Sequence, residues 1–360
     1  MTARIPVTIL TGFLGSGKTT LVRHILAHAE GRRIALVINE FGDLGVDADL
    51  IDGCYDAACD AGDIVELTNG CICCTVSEDF VPAMESILAR TPPPDHIVVE
   101  TSGLALPQPL IRAFTWPGLK TRLTVDGVVV LVDGRAVADG RFAHDPGAVD
   151  RQRRADESLD HESPLLELFE DQMVSADIIV LNKTDLLEPP TVAALARQME
   201  RDSRNGTRVV TASRARLPVE IVLGLRAEAE SDTESRHERH HEHHDDDGDG
   251  TATHGEEDHG EFDSFVVELG AVDAPNVLVD RIAGAVSRHP ILRVKGFAAV
   301  TGRPMRLAVQ AAGPRVDHYF DRPFLPDEAR ISRLVVIGMG GLDRTAIEAE
   351  LTGSSSVASC

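Results

Sequence analysis

The eight residues GFLGSGKT, Gly12 to Thr19, constrain this chain more than any other feature. They fit G-x-x-x-x-G-K-[ST] between the flanks that the motif needs, the apolar run VTIL before it and the helical pattern KTTLVRHILAHA after it. The glycines let the backbone curl so that N–H groups of residues 15 to 19 point inward at phosphate oxygens, and the N-terminus of the following helix adds a favourable dipole. Gly12, Gly15, Ser16, Gly17, Lys18, Thr19 and the adjoining Thr20 are the candidate phosphate-binding residues. Lys18 is expected against the β- and γ-phosphates, and the Thr19 hydroxyl on Mg2+.

A strand–loop–helix unit of this kind asks for a parallel sheet, and the next two hundred residues supply one. VTIL, IALVIN, DIVEL, HIVVE, VDGVVVLVD, DIIVLNK and RVVTA are short β-branched runs alternating with helical patterns such as Leu21, Ile25, Leu26 and Phe80, Met84, Ile87, Leu88. They predict a doubly wound, mostly parallel α/β P-loop domain over residues 1–226. Residues 227–261 break the pattern: from 228 onward they hold 14 acidic residues against two arginines, with almost no large apolar side chain. Such a tract cannot offset the entropy of ordering itself, which predicts a disordered acidic, His-rich linker. After it, FDSFVVEL, a helix over about 276–287, the strands ILRVKGFAAV, MRLAVQAA and SRLVVIGM and a helix near 343–351 predict a smaller α+β domain over 262–353. No internal repeat is present.

Several function classes are excluded as expectations. No apolar run reaches 18 residues, so no membrane span is expected. The N-terminus MTARIPVTIL has no basic stretch, long apolar core or cleavage site, which makes the cytoplasm the expected compartment. A net charge of -23 without a basic stripe argues against nucleic acid as a partner.

Three further segments follow predicted strands, where α/β sheets place ligand loops. In NKTD, Asp185 can accept from guanine N1–H and the 2-amino group, donors that adenine lacks, which favours GTP over ATP. Asn182 is placed for guanine N7, the Lys183 stem for the face of the ring, and Thr211, Ala212 and Ser213 for a further base-contacting loop. In IVVETSG, Glu100 is expected to hold Mg2+ through water or to position the attacking water, and Gly103 to bring its N–H to a γ-phosphate. INEFGDLGVD, with Glu40 and Asp43 in a Gly-punctuated loop, reads as a first switch segment.

Half of the six cysteines, Cys71, Cys73 and Cys74, fall in TNGCICC. In a reducing compartment structural disulfides are rare and neighbouring cysteines pair poorly, which leaves metal or redox chemistry. Thr75 and Glu78 fit a capping box, so a helix is expected from about Thr75 with the thiols just before its N-terminus, a position that favours thiolate. Thiolates with an oxygen donor, for which Glu40 is the candidate, suit a tetrahedral ion such as Zn2+ or Co2+. A structural thiol cluster or a peroxide sensor is the alternative. Cys54, Cys59 and Cys360 read as ordinary thiols. Seven of the 14 histidines lie in the acidic tract, where they suit weak metal capture or merely a solvated spacer; His24, His28 and His96 sit in structured patterns. Arg293, Lys295 and Arg303 read as surface charges or partner contacts.

Together TGFLGSGKTTL, INEFGDLGVD, NGCICC, VVETSGLALP and LNKTD, with RVKGF after the His-rich connector, resemble the CobW-type metallochaperone P-loop GTPases over nearly the whole chain. The resemblance maps the family's metal motif onto Cys71, Cys73 and Cys74, its E-x-x-G onto Glu100 to Gly103 and its guanine motif onto Asn182 to Asp185. It implies a GTPase that supplies Co2+ to the aerobic cobaltochelatase for cobalamin biosynthesis; we further expect MgGTP to pull residues 38–47 and 100–103 inward and so complete the metal site. A zinc-supplying or nitrile-hydratase-activating relative, with another metal-receiving protein as client, is the second reading. A non-catalytic His-rich metal buffer is the third, and a homo-oligomer is compatible with any of them. Lys18, Thr19, Glu100 and Gly103 are the expected catalytic set; no arginine finger or water-positioning Gln is readable, so slow intrinsic turnover is expected.

Overall fold

In the computed structural model, which describes residues 4–29, 31–39, 64–67, 80–155, 165–233, 236, 262–313, 315–325 and 328–353, the chain divides into two units, Met1–Ala252 and Thr253–Cys360. Among the described residues the first is built on seven strands: β1 (Ile5–Thr11), β2 (Ile34–Asn39), β3 (Ile64–Leu67), β4 (His96–Glu100), β5 (Leu123–Asp133), β6 (Ile178–Asn182) and β7 (Arg208–Thr211). They lie in the order β3-β2-β4-β1-β5-β6-β7, and every ladder among them is parallel. Parallel neighbours need crossover connections. The helices α1 (Lys18–Ala27), α2 (Val81–Leu88), α3 (Pro107–Ala113), α4 (Pro117–Lys120), α5 (Gly134–Ala138), α6 (Pro146–Ala155), α7 (Leu165–Ser175), α8 (Pro189–Asp202) and α9 (Val219–Val222) lie between or after the strands.

Cover on both faces is why these strands read as continuous apolar runs: all five residues of β4 and of β6 are buried. Helical periodicity delivers the matching surface. Phe80, Met84, Ile87 and Leu88 join Val7, Ile9, Ile97, Val99 and Phe114 in one core cluster, with Phe80 and Phe114 in an edge-on ring contact at 5.4 Å. Each such fully buried side chain contributes about 1.5–3 kcal/mol relative to exposure. The capping box expected at Thr75 lies outside the described residues.

Where the acidic tract was expected to begin, the chain is packed against the first unit. Ala229 is fully buried within the main core, and Glu230 accepts from the Thr124 hydroxyl at 2.7 Å and the Val125 N–H at 2.9 Å. Asp126 accepts from the Leu225 and Arg226 N–H groups, both at 2.9 Å. Arg236 is 1% exposed; its guanidinium donates to the Ser175 carbonyl and, at 2.9 Å, to Asp177. Ala229, Glu230 and Arg236 therefore belong to the first unit and not to a free linker, because buried carboxylates and backbone groups across the sheet give polar side chains partners that composition does not reveal.

The second unit is an antiparallel sheet of β8 (Phe262–Leu269), β9 (Ile291–Ala299), β10 (Met305–Ala312), β11 (Arg315–Pro323) and β12 (Ser332–Met339) in the order β11-β10-β9-β12-β8. Helices α10 (Pro275–Arg288) and α11 (Arg344–Thr352) complete it. Leu278, Ile282, Val286, Ile347 and Leu351 share a core with Val267, Val294, Leu307 and Val336 of the sheet. The Asp343 carboxylate caps α11 by accepting from the Ala346 N–H at 2.9 Å. One strand that the sequence does not announce is added here, and one expectation is corrected. RVDHYFDRP forms the edge strand β11, which the sequence hides because its residues are mostly exposed and lack apolar alternation. Arg293 is buried, 5% exposed, on β9, a central strand flanked by β10 and β12.

Candidate functional site

The P-loop leaves β1 at the carboxyl edge of the sheet, beside the end of β4, where Leu10 pairs with Glu100. Gly12 and Gly17 hold φ of 135° and 109°, in the region that side-chain-bearing residues avoid. Added Cβ atoms there would fall 2.2 Å from the Leu131 carbonyl oxygen and 2.4 Å from the Asn182 amide nitrogen. At Gly15 a Cβ would meet nothing within 4 Å. The loop is therefore clamped on its protein side and open on the other. No side chain caps α1, and its first turn carries no acidic residue, so the N–H groups there remain suited to an anion.

That open side faces a cavity of about 600 Å3, lined by Gly15, Gly17, Lys18, Thr19 and Thr20 with Glu100 from the end of β4, and by Asn182, Lys183 and Asp185 from NKTD; Leu14, Leu186 and Arg214 complete it. The Lys18 ammonium donates to the Gly12 carbonyl at 2.8 Å, and the Thr19 hydroxyl donates to Glu100 Oε1 at 3.2 Å. Glu100 is 6% exposed. A hydroxyl and a carboxylate are the hard oxygen donors that Mg2+ takes, so the residues present fit both a phosphate group and that ion. Ser16 is buried, and its hydroxyl oxygen has no hydrogen-bond partner among the described residues.

Gly103 does not line the cavity but abuts the P-loop, where a Cβ would lie 2.8 Å from the Leu14 nitrogen. The segment carrying it is held by the Thr101 N–H, which donates to the Leu10 carbonyl at 2.9 Å, and by Gln172 of α7. The buried Gln172 amide donates to the carbonyls of Gly103 at 3.2 Å and Ala105 at 3.1 Å. Phe13 of the P-loop packs with Leu104, Ala143 and Val149 in a satellite cluster, with ring centroids 6.1 Å from Phe142 and 5.9 Å from Phe169.

At the other end, NKTD is sewn to the loop after β7. Asn182 donates to the Ser16 carbonyl and accepts from the Ala215 N–H, both at 2.8 Å. Its amide thus ties these two loops together. The Thr184 hydroxyl donates to the Ala212 carbonyl at 3.0 Å and lies 3.3 Å from the Ser213 hydroxyl. Thr211, Ala212 and Ser213 stand behind the NKTD loop; Arg214, with φ 54°, is the residue of this segment that reaches the cavity wall. Arg214, Gln172 and Asp133 were not singled out in the sequence. Arg214 directly follows a predicted ligand loop, which was its one signal; the other two have none.

His24, on α1, is placed structurally: its Nε2 lies 2.7 Å from the Leu217 carbonyl, and burial, the leading cause, lowers its pKa and favours the neutral ring. His96 Nε2 lies 2.8 Å from the Thr8 hydroxyl inside the sheet. Cys71, Cys73, Cys74, Glu40 and Asp43 lie outside the described residues. Among the described residues no group of three or more His, Cys, Asp or Glu is placed to hold a metal ion, and no helix is long and apolar enough to cross a membrane.

Comparison with known proteins agrees with this geometry. Residues 6–211 match the family described as CobW/HypB/UreG, nucleotide-binding domain, and residues 262–354 the cobalamin synthesis protein cobW C-terminal domain. A zinc chaperone CobW from a Sinorhizobium species is 51% identical over 97% of this chain and 97% of its own. A zinc chaperone CobW from Pseudomonas aeruginosa is 50% identical over 97% of this chain and 91% of its own. The zinc chaperone YjiA of Escherichia coli is 32% identical over 93% of this chain and 94% of its own. With the P-loop at the sheet edge, the NKTD loop fastened to it and both domains matched, the chain belongs to the CobW-type family of P-loop metallochaperone GTPases.

Proposed function

We propose that this chain hydrolyses GTP to drive delivery of a tetrahedral divalent ion from a site formed by Cys71, Cys73, Cys74 and Glu40. The observation that carries the nucleotide half is the cavity on which Lys18, Thr19, Glu100 and Asp185 converge. Lys18 exchanges its carbonyl contacts for phosphate oxygens and Asp185 accepts from the guanine edge, while Gly103, packed behind the P-loop and outside the cavity wall, backs the loop that cradles the γ-phosphate. Thr19 and Glu100 would hold Mg2+, whose charge offsets that on the phosphates. Because Gly103 is pressed against the P-loop and gripped by Gln172, a γ-phosphate there bears directly on the segment after β4. The Cys motif and the first switch follow neighbouring strands of the same sheet edge. GTP binding completes the metal site and hydrolysis relaxes it.

The cargo is Co2+, passed to the aerobic cobaltochelatase, in the reading carried by the motif resemblance; it is Zn2+, passed to another metal-receiving protein, in the reading supported by relatives named zinc chaperones. Linkage makes the gating testable, since metal must raise GTP affinity by the factor by which GTP raises metal affinity. Co2+ titrated with MgGTP or a non-hydrolysable analogue is expected to give intense tetrahedral visible bands and a sulfur-to-metal charge-transfer band, both much weaker with MgGDP. Replacing Cys73 and Cys74 by Ala erases the bands and leaves GTP binding; Glu40→Ala weakens metal binding less. Zn2+ competition under MgGTP then ranks the two ions. Bands that persist without all three cysteines, or that ignore the nucleotide, overturn the gated thiolate site.

A further inference from the structure

The parallel ladder between β5 and β6 sets Asp133 beside Asn182, one residue before Lys183. β5 ends there, and Asp133 Oδ1 caps α5 by accepting from the Ala136 N–H at 3.1 Å. Its other oxygen, Oδ2, accepts from the Lys183 ammonium at 2.5 Å. Asp133 is 1% exposed, whereas the Lys183 side chain is 28% exposed and lines the cavity. Asp133 itself does not line it.

A carboxylate this deeply buried needs a compensating charge, and removing one partner of such a pair is costly. Lysine is also a flexible stem that loses much rotamer freedom when fixed. Here both ends are fixed: the backbone of Lys183 is held in a left-handed turn at φ 61°, and the ammonium is held on Asp133. The four methylenes between them are left one course, along the cavity wall next to Asp185. We propose that Asp133 is a positioning residue for base recognition, anchoring Lys183 so that its stem forms an apolar wall against which a planar purine lies while Asp185 reads its edge. The inference rests on the guanine reading of the proposed function and adds a specificity determinant outside the subsite.

The competing role is that Asp133 only caps α5. Asp133→Asn separates the two, because the amide oxygen still accepts from Ala136 while the charge that holds Lys183 is gone. With the full chain and a fluorescent GDP analogue, D133N is expected to weaken GDP by up to about tenfold, the scale of re-ordering one freed, rotamer-rich side chain on binding. Inorganic tripolyphosphate, which has no base, is expected to bind as it does to wild type. In the double variant D133N/K183M, which keeps an unbranched apolar stem and buries no unpaired charge, GDP affinity is expected to match D133N alone. The double variant also serves if the single one folds poorly, its expected loss against wild type being the same. Wild-type GDP affinity in D133N, equal losses for GDP and tripolyphosphate, or a further loss on adding K183M each overturn the proposal. A wild-type chain that binds ADP as tightly as GDP removes the guanine reading beneath it; a guanine-selective wild type with an indifferent D133N removes the positioning role alone.

Discussion

Asn182 Nδ2 donates a 2.8 Å hydrogen bond to the Ser16 carbonyl, joining the NKTD loop to the P-loop across 166 residues of sequence. Its carbonyl oxygen accepts from the Ala215 N–H at the same distance. One buried side chain therefore fixes the spacing between the elements assigned to phosphate and base. Asn182→Ala leaves Ser16 O and Ala215 N unsatisfied, each costing about 1–3 kcal/mol. Urea unfolding is expected to show a loss on that scale, and nucleotide titration a loss of affinity for tripolyphosphate as well as GDP, larger for GDP because the contact assigned to guanine N7 goes with the released loops.

Asp185 lines the cavity together with Asn182 and Lys183, and its exchange tests the base directly. Asp185→Asn replaces an acceptor by a donor and is expected to move preference from guanosine toward xanthosine triphosphates, by roughly the tenfold or more that a mismatched polar pair costs. Lys18→Ala is expected to lower turnover by about 100-fold or more, the scale of a lost electrostatic contact to a developing charge. Steady-state phosphate release with paired nucleotides measures both. Equal hydrolysis of ATP and GTP by the wild type would contradict the assignment of NKTD.

Truncation of the polar tract has a defined limit. Arg236 is buried against Asp177 and the Ser175 carbonyl, and Arg204 pairs with the same carboxylate. Removing residues 240–258 is expected to leave unfolding of the first unit unchanged, whereas Arg236→Ala costs about 3 kcal/mol, the lower end for breaking a buried pair, because Arg204 still compensates Asp177. Parallel urea titrations of the two variants separate these outcomes; a destabilising 240–258 deletion would refute the limit placed here.

In the second unit, the Arg322 guanidinium donates to Glu328 at 2.6 Å, and this bond, followed by the Leu325 N–H, lowers the Glu328 pKa from 4.5 to about 2. The group's folded value is depressed, so its contribution to stability is present above the ordinary glutamate range and is lost as the pH falls from there through about 2. Carbon-13 NMR of the Glu328 carboxyl is expected to titrate near the lower value. Arg322→Ala is expected to raise that midpoint toward the ordinary range; an unmoved midpoint would assign the shift elsewhere.

Much of the architecture was legible because its signals are local. The seven strands of the first unit are apolar runs between turn residues, and α1 and α2 present their buried residues at helical spacing. Glycines at Gly12, Gly15 and Gly17 announce the left-handed backbone of the P-loop. The edge strand β11 escaped because an exposed strand buries too little to leave an apolar pattern.

By itself, then, the sequence determined the doubly wound sheet, the glycine-rich P-loop and the order of the loops that follow its strands, since each depends on residues within a few positions of one another. Only the tertiary structure decided which polar side chains act as internal ties: Asn182 on Ser16, Gln172 on Gly103, Asp133 on Lys183 and Arg236 on Asp177. All four contacts join residues at least 50 positions apart. A buried amide or charge is stabilised by whichever partner the fold brings to it, and composition gives the same letters whether that partner is water or a carbonyl across the sheet.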